Sequence, residues 1–436
     1  MTSEPTAPLA SLPVPTAPLV TRTVEIEDPG PLLALLPDSG DARALSSWVR
    51  GGDGLVGWGR TRAVATGGAT RFADAEAWWR EQVHHAVVRD EVRLPGTGPV
   101  AFGSFAFADD SPSGGALVIP EVVVGRREGR CWVTTTGSGT GLPPRAAVAR
   151  RAAAVAPGDV EFAAGALDGS RWTAAVARAV GRIAGGEVDK VVLARDVVVN
   201  AAGRIDPRWV LEALAGRYTN TWVFAVDGLV GATPEMLVRL EKGLVTSRVL
   251  AGTIRRSGDD ERDLALAGSL ARSSKDLEEH EYAVRSVADA LRPHCTSLNA
   301  PESPFVLHLH NVMHLATDVA GVLADGTTSL ALAGALHPSA AVCGTPRETA
   351  AGMIAALEGM DRGRYAGPVG WMDASGDGEW GIALRCGAYE PDAAGVAGDR
   401  MRLFAGCGIV AGSDPQAELA ESEAKLVPMR DALTGP

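Results

Sequence analysis

Short apolar runs separated by glycine-rich turns fill residues 22 to about 135. Gly54-Leu55-Val56-Gly57-Trp58-Gly59, the run VAFGSFAF at residues 100–107, and Ala116-Leu117-Val118-Ile119-Pro120 have the length and residue types of strands. Together they predict an extensive sheet, interrupted by a helix over residues 72–86. Residues 143–157 are bounded by prolines and rich in Ala and Arg, which predicts a helix or connector into the second half. There the pattern changes. Residues 172–185 read as a helix, 187–199 as a strand and 222–226 as a short strand. Residues 273–291 give the clearest helix: Leu277, His280, Val284, Val287 and Leu291 recur at spacings of three and four. Ser273 and Asp276 have capping-box spacing at its start.

Two of these elements carry charge where the pattern is apolar. In the strand over 187–199, Lys190 shares a face with Val188, Val192 and Ala194. Such a lysine either snorkels at an edge or is a buried base with a depressed pKa. From 336 to 433, Gly, Pro and small residues alternate with isolated charges. That composition weakens a plain core and suits a backbone approaching a ligand closely. Residues 371–386 predict a hairpin turning at 374–378. On its return strand Trp380, Ile382, Leu384 and Cys386 would share one face, and Gly381, Ala383 and Arg385 the other. Arg385 would then be a surface arginine or a two-pronged carboxylate holder. Residues 402–410 predict a strand ending near Gly406-Cys407-Gly408. Ser413 or Asp414 can cap the helix that follows, with Pro415 in its first turn. On that helix Glu418, Glu421 and Lys425 fall on one face, and Leu419 and Leu426 on another. The charged face is either solvated or offers hard oxygens to a divalent ion, with Lys425 near an anionic ligand.

Composition narrows the functional classes. The chain has 436 residues and a net charge of −12. With no basic run it is a poor partner for nucleic acid or an anionic membrane. Five cysteines without a CxxC pair suit reduced thiols in a cytoplasmic protein. No apolar run reaches the length of a membrane span. The Pro/Ala-rich residues 1–21 read as a disordered tail. His308, His310 and His314 could suggest zinc, but no HExxH accompanies them. Gly406-Cys407-Gly408 is only a near miss to a dinucleotide fingerprint.

Three long segments, LHPSAAVCGTPRE, GPVGWMDASGDGEWGIALR and AGCGIVAGSDPQAELAESEAKL, resemble the chorismate-utilising enzymes. This family includes isochorismate, salicylate, anthranilate and aminodeoxychorismate synthases. The resemblance runs from about residue 164 to the C-terminus. It implies an α+β fold: large antiparallel sheets packed face to face, helices outside and a cleft between. Residues 22–436 would form one chorismate-binding domain, sheet-rich over 22–157 and catalytic over 158–436. The resemblance also implies Mg²⁺ bound by Glu279 and Glu421, each with a second acid three residues earlier, Asp276 and Glu418. It makes Lys190 the base that activates water, where anthranilate synthases usually show glutamine, and Glu235 the general acid. Gly252 and Thr253 would lie in a substrate-contacting loop, and His314 and Thr317 would line the pocket. Arg385, Tyr365 and backbone near Gly408 would take the enolpyruvyl carboxylate, with Lys425 nearby. Ala251 stands where aminodeoxychorismate synthases carry a nucleophilic lysine. Ala341 stands where lyase-type relatives tend to carry threonine. The implied activity is therefore isochorismate synthesis from chorismate, without an obligatory glutaminase partner. Salicylate synthesis and a non-catalytic chorismate-binding subunit are the alternatives.

Overall fold

A computed structural model describes residues 17–308, 312–391 and 397–435, without the side chains of Lys275, Glu279, Pro391 and Ala397. The apolar runs become two large sheets, one of thirteen strands and one of ten. Among the described residues, pairing is antiparallel except where Leu19–Ile26 runs parallel to Val87–Asp90. The sheets face each other across a shared apolar core. Trp48 of the larger sheet packs where a Cβ on Gly381 of the smaller would come within 2.8 Å, so only glycine fits. Its indole Nε1 donates to Glu379 Oε2 at 2.8 Å. Helices Gly169–Ala184, Pro207–Arg217 and Pro415–Thr434 cover the larger sheet. Ser274–Leu291 and Ser329–Leu336 lie on the smaller. The expected α+β architecture is therefore present. Among the described residues no helix is long and apolar enough to cross a membrane.

The first and second halves of the chain interleave. Leu45–Arg50 pairs with Trp222–Val226 in the larger sheet, and Val100–Phe105 with Pro368–Asp373 in the smaller. Two sequence expectations need correction, and of the two alternatives for residues 143–157 one is met. The strand Leu19–Ile26 pairs over its whole length with Arg130–Ser138, so the tail does not extend to residue 21. Residues 1–16 lie outside the described residues. Residues 143–157 form no helix; they are a connector, tied by Arg151 N–H to the Ala34 carbonyl at 2.8 Å. The hairpin forms between Pro368–Asp373 and Gly378–Ile382, but its return strand stops at Ile382. The chain then crosses to the larger sheet, where Cys386–Pro391 pairs with Leu229–Thr233. Arg385 sits at this crossing with φ of 48° rather than on a strand face.

Candidate active site

Two crossings between the sheets lie side by side. In one, the chain leaves Leu229–Thr233 of the larger sheet and enters Met236–Glu241 of the smaller, with Glu235 between. The other carries Arg385. They hydrogen-bond reciprocally: Ile382 N–H donates to the Glu235 carbonyl at 3.1 Å, and Ala232 N–H to the Arg385 carbonyl at 3.1 Å. Both side chains face a cavity of about 450 Å³. Glu235 is buried, and burial pushes its carboxyl up to about 7. The positive charges of Lys190, Lys425 and Arg385 oppose that rise without cancelling it. Arg385 Nη1 is buried without a hydrogen-bond partner. A guanidinium left in that state is poised to receive an anion.

Lys190 opens the strand Lys190–Ala201 and lines the same cavity with Val192, as the alternating pattern requires. Its side chain crosses the neighbouring strand Ala397–Ile409 at Gly408. A Cβ on Gly408 would approach Lys190 Cε to 3.0 Å, so glycine leaves room for the amine. Tyr365 stacks on Phe404, with centroids 5.1 Å apart. The Gly252 backbone bulges at φ of 76°, and a Cβ there would meet Asp276 Cβ at 3.1 Å. Next to the bulge, Thr253 Oγ1 lies 2.9 Å from His314 Nδ1. Burial holds the His314 imidazole down to about 4, and the Arg385 and Lys425 charges add to that effect. This histidine is therefore neutral at neutral pH.

The C-terminal helix supplies the acidic wall. Asp414 caps it, accepting from Gln416 and Ala417 N–H. Glu418, Glu421 and the Cys407 thiol place their donor atoms within 4.8 Å of one another. Burial beside Glu421 raises the Glu418 carboxyl. For Glu421, burial pushes upward, but Lys425, 2.6 Å away, together with Arg385 outweighs it. Burial pushes the Cys407 thiol up to about 12, so it stays protonated. The available ligands are thus two hard carboxylates, a set that suits Mg²⁺. Lys425 also donates to the Gly406 carbonyl at 2.9 Å, so its ammonium is already engaged by protein oxygens.

Of the residues expected at the site whose side chains are described, all but Thr317 line the cavity. The Glu279 side chain lies outside the described residues. Thr317 is buried on the far side of its strand, where its hydroxyl lies 2.7 Å from His280 Nε2. The reason is simple: His314 and Thr317 are three apart on Val312–Leu323, and an odd spacing puts them on opposite faces. His280 Nδ1 in turn lies 3.3 Å from the Ala251 carbonyl, next to the Gly252 bulge. Helical spacing alone places His280 in an apolar stripe and gives no sign of that contact. Arg362, which also lines the cavity, comes from a stretch with no periodic signal. His310 lies outside the described residues. Among those described, the cluster at Cys407, Glu418 and Glu421 is the one group suited to an ion.

Comparison with known proteins identifies the family. The family model described as chorismate binding enzyme matches residues 15–434. The chain belongs to the chorismate-binding enzyme family. It is 31% identical over 412 residues to the Bacillus subtilis isochorismate synthase MenF, covering 87% of this chain and 85% of that one. It is 35% identical over 390 residues to a putative isochorismate synthase MenF of Mycobacterium tuberculosis, covering 86% and 94%. Among solved structures, a putative 2,3-dihydroxybenzoate-specific isochorismate synthase from Bacillus anthracis matches with a TM-score of 0.74 and 31% identity. That match covers 92% of this chain and 98% of the other. The charged side chains lining the cavity come from the two sheet crossings, the C-terminal helix, the start of the Lys190 strand, Asp276 and Arg362.

Proposed function

We propose that this member of the family is an isochorismate synthase, adding water at C2 of chorismate and expelling the C4 hydroxyl. The observation that carries the reading is Lys190 and a Glu235 whose carboxyl is pushed up to about 7, facing one cavity. Acid/base work near neutral pH needs a proton acceptor and a proton donor held together. Lys190 takes a proton from the attacking water as the new C2–O bond forms. The ring double bonds shift, the C4–O bond breaks, and Glu235 gives its proton to the departing hydroxyl, which leaves as water. One water enters and one leaves, so the product is an isomer of the substrate. The unpartnered Arg385 Nη1 holds the enolpyruvyl carboxylate, with Tyr365 beside it. Glu418 and Glu421, with Asp276 across the cavity and Glu279 as the family resemblance implies, would hold Mg²⁺. When bound, the ion neutralises and anchors the substrate's ring carboxylate. Ala341 at the cavity wall leaves the space that a bulkier residue would fill. The test is chromatography of the products after incubation with chorismate and Mg²⁺, beside a pyruvate assay. Isochorismate without pyruvate is expected. Stoichiometric pyruvate with salicylate would place the chain among salicylate synthases, and unchanged chorismate would make it a binding subunit.

A further inference from the structure

The strand that carries Lys190 has a gap along one edge. At its start this edge pairs with the short strand Gly344–Thr345, through Lys190 opposite Thr345 and Val191 opposite Gly344. Val192 N–H still reaches the Cys343 carbonyl at 2.8 Å, and there the neighbour turns away. Strand pairing on this side resumes only at Val197, opposite Ala164 of Val160–Ala164. Between these points the backbone groups of Val192 and Ala194 face no strand. Buried backbone groups must find partners elsewhere.

Side chains fill the gap. Arg362 Nη2 donates to the Val192 carbonyl at 2.7 Å, and Glu358 Oε1 accepts from Ala194 N–H at 2.7 Å. Trp172 Nε1 donates to the Ala194 carbonyl at 3.2 Å. Glu358 and Arg362 also bind each other, at 2.9 Å from Nε and 2.5 Å from Nη2. They are 2% and 3% exposed. Arg362 Nη1 then reaches across to the Val342 carbonyl at 2.8 Å, next to Ala341. One ion pair therefore joins the Lys190 strand, the Ala341–Val342 loop and the helix Arg347–Glu358.

We propose that Glu358 and Arg362 are positioning residues that set where the Lys190 amine stands relative to the Ala341 wall of the cavity. A buried ion pair adds little net stability over apolar residues of the same volume, because both charges lose their water. What an apolar pair cannot do is satisfy Val192, Ala194 and Val342 at once. The proposal rests on the reading of Lys190 as the base, since misplacing a base by about an ångström can cost on the order of a hundredfold in rate.

The test compares Glu358→Leu with Glu358→Gln, which keeps an oxygen for Ala194 N–H. Turnover of chorismate should fall by about tenfold to a hundredfold in Glu358→Leu with KM unchanged, and most of it should return in Glu358→Gln. Hydrogen exchange at the Ala194 amide should quicken in the first variant and not in the second. Should Glu358→Leu fail to fold, Arg362→Lys serves instead: it keeps the charge but cannot bridge Val192, Val342 and Glu358, so kcat should fall with KM kept. Full turnover in Glu358→Leu, or equal losses in the Leu and Gln variants, overturns the proposal. Wild-type protein that makes no isochorismate sinks the functional reading instead. The exchange comparison then judges the pair alone, and unchanged exchange in Glu358→Leu overturns it.

Discussion

The two halves of the chain share both sheets, yet no described residue before Lys190 lines the cavity. The first half supplies large buried side chains such as Trp48, Phe102, Phe105 and Trp132, which fill the space between and behind the sheets. The second half supplies Lys190, Glu235, Arg385 and the acids of the C-terminal helix. In the first half, the requirement on each position is to be apolar and of the right volume. In the second, a single atom must stand in a single place, and glycines at 252 and 408 clear the way for it. Substitutions should accordingly damage stability in one half and chemistry in the other.

The largest effect expected is on chemistry. Glu235→Gln should lower turnover by about 10² to 10⁴ while thermal unfolding hardly moves. The wild type should show a falling limb that the variant lacks. An acid catalyst must carry its proton, and this carboxyl keeps it only below about 7. Turnover should therefore drop as pH rises through that value, read from a kcat–pH profile. The converse experiment is Trp132→Ala. That indole is 1% exposed and donates to the Gly96 carbonyl. Its loss should cost about 3 to 5 kcal/mol in denaturant unfolding, with turnover per folded molecule unchanged.

Thr317→Val tests the border between the two kinds of residue. Removing the hydroxyl that meets buried His280 should cost about 1 to 3 kcal/mol. KM for chorismate should stay put, whereas a raised KM with stability intact would return Thr317 to the cavity wall. The last effect is a slope. His314 and His337 are both held at about 4 by burial, against an ordinary 6.5. The unfolded chain takes up these protons near 6.5 and the folded chain only near 4. Stability present above pH 6.5 should therefore fall as pH drops toward 4, by up to about 1.4 kcal/mol per pH unit for each histidine. His337→Gln should flatten that slope in urea unfolding measured at pH 7 and pH 5.

The same contrast decides what could be read from sequence. Alternation located Lys190 beside Val192, and helical spacing put Glu418 and Glu421 on one face, because each property belongs to a single element. The capping of Ser274–Leu291 by Ser273, which accepts from Asp276 N–H, was legible for the same reason. Arg385 was misplaced because alternation assumes that the strand continues, and nothing local announces a crossing between sheets with a left-handed residue. Thr317 was misplaced against the period itself, since it lies three residues from His314. The Glu358–Arg362 pair was invisible: its partners on the Lys190 strand lie more than 160 residues earlier in the chain.

The central claim is that Lys190 deprotonates the incoming water, and it is tested most directly by turnover in ¹⁸O-labelled water. Wild-type protein with chorismate and Mg²⁺ should yield isochorismate carrying one solvent oxygen. Lys190→Gln keeps a polar tip on a side chain one atom shorter but cannot take the proton, so it should lose at least about a hundredfold in labelled product while still binding chorismate. Labelled isochorismate formed by Lys190→Gln at the wild-type rate would contradict the claim and leave the lysine as a strand-edge residue.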